Sequence, residues 1–151
     1  MIVTQTVAML IDGNNIERAI NFEFGENYRM SFDVIVPKIL KERGLNRLVY
    51  LREGKHISGK LAERLKTKFF GTVQPCHKSA DIYIAIHAVK LAEKVDTIIL
   101  FSGDGDFLPL VEYLKSVGVR VEVVCMQDSA SRFLIESADD YYFIQKDDVF
   151  C

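Results

Sequence analysis

The chain has 151 residues, 49% hydrophobic and 26% charged, which excludes a disordered or fibrous protein and fits one compact domain rather than two. A net charge of −2 argues weakly against a nucleic-acid partner, but residues 52–68 hold six Lys/Arg against Glu53 and Glu63, a local balance of +4 that leaves −6 elsewhere. Cys76, Cys125 and Cys151 are odd in number and lack CxxC spacing, so neither a disulfide framework nor a zinc site is expected.

Taken in chain order, residues 7–11 form an apolar run ending at Asp12, as a buried parallel strand would. Residues 14–24 can start a helix, followed by a loop with Gly25 and Asn27. Ser31 is placed to cap a helix over residues 32–42, closed by Gly44. A second strand is predicted over residues 47–51. Ser58 then caps a helix with an apolar stripe of Leu61, Leu65 and Phe69 and an adjoining basic stripe of Lys60, Arg64 and Lys68. Thr72–Cys76 is a short strand. The helix over residues 79–93 is apolar on several sides and is expected to be largely buried. Thr97–Phe101 is the strongest strand in the sequence. A helix over 106–117 ends at Gly118, Arg120–Cys125 is a strand, residues 129–137 are a short helix, and residues 141–144 are a last, apolar strand. At a sheet edge that strand would make a homodimer plausible. No apolar run is long enough to cross a bilayer, and no basic-then-apolar leader precedes the first strand, so a cytoplasmic protein is expected.

Repeated strand–helix alternation predicts an α/β fold: a three-layer, Rossmann-like arrangement with a mainly parallel central sheet and helices on both faces. Ligands of such sheets bind beyond the carboxyl ends of the strands, where strand order reverses. That rule turns the positions of four aspartates into a spatial expectation. Asp12 follows the first strand in Ile11-Asp12-Gly13-Asn14-Asn15, where Gly13 permits a tight turn and Asn15 can hydrogen-bond a carboxylate or phosphate. Asp104 and Asp106 follow the strongest strand in Ser102-Gly103-Asp104-Gly105-Asp106-Phe107, a turn rich in hard oxygen ligands of the kind Mg²⁺ or Mn²⁺ prefers. Lys78 and Asp81 open the helix over 79–93, with Ile84 and Ala85 placing the face below Asp81 toward the interior. Each acid has a plain alternative: Asp12 as a helix cap, Asp104 as part of a polar turn with Asp106 capping the next helix, and Asp81 as a first-turn acid favoured by the helix dipole. Their convergence on one rim is what points to a cation, because clustered carboxylates repel one another unless one neutralises them.

The three-part pattern Ile11-Asp12-Gly13-x-Asn15, Lys78-x-x-Asp81 and Ser102-Gly103-Asp104-x-Asp106-Phe107 resembles the motifs of NYN domains. It is most similar to the LabA-like (DUF88) branch of the PIN-like ribonuclease superfamily, and the likeness runs on to Ser137-Ala138-Asp139. The resemblance implies a carboxylate-bound Mg²⁺ or Mn²⁺ and RNA, single-stranded for preference, as substrate. It makes Asp12, Asp81, Asp104 and Asp106 metal-binding and has Asn15 and Ser102 orienting water, phosphate or a carboxylate. Six residues after the helix Asp the family often carries another Asp; here that position is His87.

Hydrolysis through such a site needs no nucleophilic side chain. Lys60, Arg64 and Lys68 could guide the sugar-phosphate backbone and Lys78 could contact phosphate near the metal, while Tyr28, Tyr50 and Tyr83 suit core packing better than base stacking. Two rivals stand beside an endoribonuclease. A non-catalytic nucleic-acid-binding or regulatory module would keep the fold without cleavage. A haloacid-dehalogenase-like phosphatase would need a general acid two residues after Asp12, where Asn14 cannot serve.

Overall fold

A computed structural model describes residues 5–54 and 57–151. In chain order the elements are β1 (Thr6–Asp12), α1 (Gly13–Phe24), β2 (Arg29–Met30), α2 (Phe32–Leu40), β3 (Gly44–Glu53), α3 (Gly59–Phe69), β4 (Thr72–Cys76), α4 (Asp81–Leu91), β5 (Thr97–Phe101), α5 (Leu108–Ser116), β6 (Arg120–Cys125), α6 (Arg132–Ser137), β7 (Asp140–Phe143) and β8 (Val149–Phe150). Six strands form one sheet in the order β4-β3-β1-β5-β6-β7, every neighbouring pair parallel. β2 and β8 make a separate antiparallel ladder.

β1 reads as a continuous apolar run because it is central and covered on both faces. Its alternation assigns the layers. Ala8 and Leu10 pack with α4, α5 and α6, whereas Val7, Met9 and Ile11 pack with α1, α2 and α3. The chain runs from β1 outward through β3 to β4, then crosses back by α4 to β5 on the other side of β1, so strand order reverses between β1 and β5.

Several element ends differ from expectation. Helix α2 stops at Leu40, not at Gly44. Lys41 and Glu42 turn the chain in left-handed conformations at φ 52° and 65°, and Gly44 already belongs to β3, its N–H bonded to the Gln5 carbonyl at 2.9 Å. The Ser31 hydroxyl makes no cap bond; its carbonyl instead accepts the Val34 and Ile35 N–H groups. Ser58 does cap α3, accepting from Leu61 N at 3.4 Å. A 3₁₀ turn over Gly105–Phe107 precedes α5, and α6 begins only at Arg132, capped by Ser131. The expected burial of α4 is half right. Ile84, Ala88 and Leu91 are buried, but Ile82, Ile86 and Val89 form an exposed apolar stripe. β7 does lie at an edge of the sheet, and the three cysteines are free. Among the described residues no helix is long and apolar enough to cross a membrane.

Candidate metal centre

Strand parity puts the acids on one side of the sheet. In β1 the side chain of residue 12 continues the series Ala8, Leu10, and beyond β5 that of residue 102 continues Ile98, Leu100; all four partners face the α4–α6 layer. Asp12 and Ser102 therefore meet across the β1–β5 junction. The Ser102 hydroxyl donates to Asp12 Oδ2 at 3.1 Å and accepts from the Asp104 N–H at 3.2 Å. One fully buried hydroxyl thus links the two acidic strand ends.

Asp81 enters from the first turn of α4, its N–H held by Ser79 Oγ at 3.1 Å. Asp104 caps the 3₁₀ turn, accepting from the Asp106 N–H at 2.9 Å, so the cap is Asp104 and not Asp106. Nor is Asp12 simply a cap: at the N-terminus of α1 it makes no side-chain cap bond of ordinary geometry. One carboxylate oxygen each from Asp81, Asp104 and Asp106 lies within 4.8 Å of the other two. Asp12 is outside that group of three, although it feels the charge of Asp81 and Asp104.

The electrostatics are those of a site short of positive charge. Asp12 is 5% exposed. Burial pushes its carboxyl up to about 6 against the bond from Ser102, and repulsion from Asp81 and Asp104 pushes the same way. Burial, then repulsion from Asp104 and Asp106, also raises Asp81. Among the described residues none of the four forms an ion pair with Lys, Arg or His. An all-oxygen donor set without a compensating side chain fits a hard divalent cation, and Asp81, Asp104 and Asp106 could hold one.

The glycines of the motifs serve packing, not turn geometry, since none of the three has a positive φ. A Cβ on Gly13 would stand 2.7 Å from Tyr50 Cζ and 2.9 Å from the Leu51 carbonyl oxygen. Gly103 and Gly105 give room to residues 129–131: a Cβ on either would meet the Ser129 carbonyl at 3.0 Å or the Ser131 hydroxyl at 2.8 Å. The Ser131 N–H closes the contact on the Gly103 carbonyl at 2.9 Å.

The side chain of Asn15 acts on the backbone, while its own N–H favours the charged Asp12 carboxylate. Its Oδ1 accepts the Gly103 N–H at 3.1 Å, tying α1 to the acidic turn. Asn14 Oδ1 accepts the Glu53 N–H at 2.6 Å and so faces the end of β3. His87 reaches β4, with Nε2 2.7 Å from Gln74 Oε1, and burial followed by Arg47 and Lys90 lowers its pKa. The ring is engaged away from the acids. Asp139 accepts the Val121 N–H at 2.9 Å, at the amino end of β6 and thus at the opposite end of the sheet.

The basic stripe of α3 is not gathered beside the acids. Lys78 is exposed and forms no ion pair among the described residues. Lys60, Arg64 and Lys68 ride on α3, in the layer on the other face of the sheet, where they line a cavity that none of the four acids touches. Lys55 lies outside the described residues. Tyr50 is buried against Phe32, Tyr83 packs on the α4–α6 core, and Tyr28 stacks at a tilt on Phe24.

The sequence reading missed a buried carboxylate. Asp148 is wholly buried and takes bonds from Lys38 Nζ at 2.5 Å, Tyr142 Oη at 2.6 Å and Gln145 N at 2.8 Å, while its carbonyl accepts the Ser31 N–H at 2.7 Å. No local pattern signals it, because Lys38 and Asp148 are 110 positions apart.

Fold and site together define a doubly wound α/β domain with an acidic cluster at the reversal of strand order. Residues 6–145 match the NYN domain, and the chain belongs to that family. It is similar to the low amplitude and bright protein LabA of Synechococcus elongatus, at 38% identity over 61 residues. That match covers 40% of this chain and 33% of LabA. The crystal structure of a protein of unknown function from Vibrio parahaemolyticus, VPA0982, superposes with a TM-score of 0.87 at 21% identity, covering 99% of this chain and all of that one. At that identity the likeness is one of fold.

Proposed function

We propose that the protein is a metal-dependent endoribonuclease that hydrolyses phosphodiester bonds of single-stranded RNA. The observation that carries this reading is the approach of Asp81, Asp104 and Asp106 to within 4.8 Å without a neutralising side chain; membership of the NYN family supports it. A bound Mg²⁺ or Mn²⁺ would supply charge neutralisation on the phosphoryl oxygens and an activated water. The three carboxylates hold that ion. Asp12, whose carboxyl burial raises, lies beside the three and is placed to accept a proton from an activated water. Ser102 and Asn15 position rather than react: the first fixes Asp12 against the acidic turn, the second fixes that turn to α1. Asn14, held by Glu53, supports no phosphatase general acid.

A second reading, an RNA-binding or regulatory domain that does not cleave, is favoured by one observation. Where relatives often carry a further acid, His87 is committed to Gln74. Incubation of labelled single-stranded RNA with Mn²⁺ and either wild type or Asp104→Asn separates the two. Asparagine can still accept the Asp106 N–H, so the turn should survive while the charge is lost. Cleavage by wild type, abolished in the variant and by chelator, is expected. Inert wild type that still binds RNA would discard the catalytic reading in favour of the second.

A further inference from the structure

The face of the sheet opposite the acids carries a cavity of about 960 Å³ between α1, α3 and the β2–β8 ladder, at the upper end of the size of small-molecule sites. Its floor is apolar and firmly built: Ile16, Ile20 and Tyr50 are buried core residues. Aromatic surface continues onto the walls through Tyr28 and Phe150. Such a lining favours a flat apolar body.

The lining also carries charge of one dominant sign. Arg29, Lys60, Arg64 and Lys68 stand around the opening, and strand parity brings Arg52 to the same side. Against them, among the described residues of the lining, stand Glu17, already bound by Arg52 at 2.7 Å, and Glu63. Lys60 and Lys68 form no ion pair among the described residues, and Arg64 has only a 3.7 Å contact with half-exposed Asp33. The excess selects an anion. The two carboxylates, with the hydroxyls of Ser58 and Thr67, in turn favour a ligand that can donate and accept hydrogen bonds. Each already makes a bond within the chain, Glu17 with Arg52, Glu63 with Thr67 and Ser58 with the Leu61 N–H, and keeps acceptor or donor capacity for the edge of a ligand.

We infer that this cavity is a binding site for a nucleoside phosphate, its base over the Ile16–Ile20–Tyr50 floor and its phosphate toward Lys60 and Lys68. The base is planar and apolar on its faces, its edges and the ribose hydroxyls bond to carboxylates and hydroxyls, and the phosphate meets the cations. The ligand is either a free nucleotide or one nucleotide of an RNA strand; the chemistry recognised is the same. The site shares no residue with the acidic cluster and does not rest on the cleavage reading.

Isothermal titration with AMP, GMP, CMP and UMP tests the proposal, beside adenosine, inorganic phosphate, decanoate and a short single-stranded RNA, all without divalent ions. At least one mononucleotide should bind saturably and more tightly than adenosine or phosphate alone. Lys60→Glu/Lys68→Glu should weaken that binding roughly ten-fold or more, equivalent to at least ~1.4 kcal/mol. Both side chains are exposed, and an unchanged melting temperature will show that the variant is folded. Asp104→Asn should bind as wild type does, so failure of cleavage and failure of this site are separable. RNA binding with the same dependence on Lys60 and Lys68, in the absence of mononucleotide binding, would support the strand as the source. The proposal is overturned if neither nucleotides nor RNA bind up to about 1 mM, if charge reversal leaves binding unchanged, or if decanoate binds and nucleotides do not.

Discussion

At the scale of single residues, the site depends on two atoms of unusual cost. The first is the buried carboxyl of Asp12. Its folded pKa of about 6 lies above the ordinary 3.8, so between those values the native state holds a proton that the unfolded chain has released. Stability therefore falls as pH rises through roughly 4 to 6 and stays reduced above it. Without divalent ions, Asp12→Asn should be more stable than wild type at pH 7 by up to about 3 kcal/mol, the gain vanishing below pH of about 4. Urea unfolding at the two pH values checks this, and a gain independent of pH would contradict it. The second is the missing Cβ of Gly13. Alanine there would press on the Tyr50 ring and the Leu51 carbonyl, and should cost about 1–3 kcal/mol, read as a lower melting temperature. Adding Tyr50→Leu should recover only part of the loss, because the carbonyl remains.

At the scale of elements, the β2–β8 ladder is short, and a side chain outside it holds it in place. Burial alone would raise the Asp148 carboxyl, but the bonds from Lys38, Tyr142 and the Gln145 N–H outweigh it and keep the group below the usual carboxylate range. Its contribution is present above about pH 4 and is lost as pH falls through the lower folded value. Asp148→Asn should lower stability at pH 7 by about 1–3 kcal/mol, bring earlier proteolytic cleavage near the C-terminus, and remove that share of the acid sensitivity. How legible such parts are in the sequence depends on the range of the interactions that fix them. β1 and β5 could be read because a strand buried on both faces is apolar along its length, whereas β6 keeps Glu122 within its run, buried against Arg43. The acids could be placed because strand ends and the reversal of order are consequences of topology. The close of α2 at Lys41–Glu42 was hidden, since left-handed non-glycine residues leave no compositional mark. The exposed stripe Ile82, Ile86 and Val89 was hidden too, because an apolar residue reads the same whether covered or bare. The separation of Lys60, Arg64 and Lys68 from the acids is a matter of sheet faces, and proximity along the chain does not encode it.

At the scale of the whole molecule, the sheet separates the acids on one side from the cation-rimmed cavity on the other, and it has two borders. At the β4 border the Cys76 carbonyl turns inward to Gly54, so Pro75 faces outward and brings no N–H. At the β7 border the Tyr141 N–H is taken by Asp140 Oδ1 at 2.8 Å and the Phe143 carbonyl by Gln145 Nε2 at 2.9 Å. Apolar side chains made β7 look like a place for a second copy to join, yet part of its main chain is already satisfied by its own neighbours. Both margins are thus chemically blunted against strand addition. Pro75→Val together with Asp140→Ala should unblock them, and sedimentation at rising concentration should show association in the double variant that wild type does not gain by this route. Away from both margins, α4 leaves Ile82, Ile86 and Val89 bare, apolar surface that asks nothing of the sheet edges.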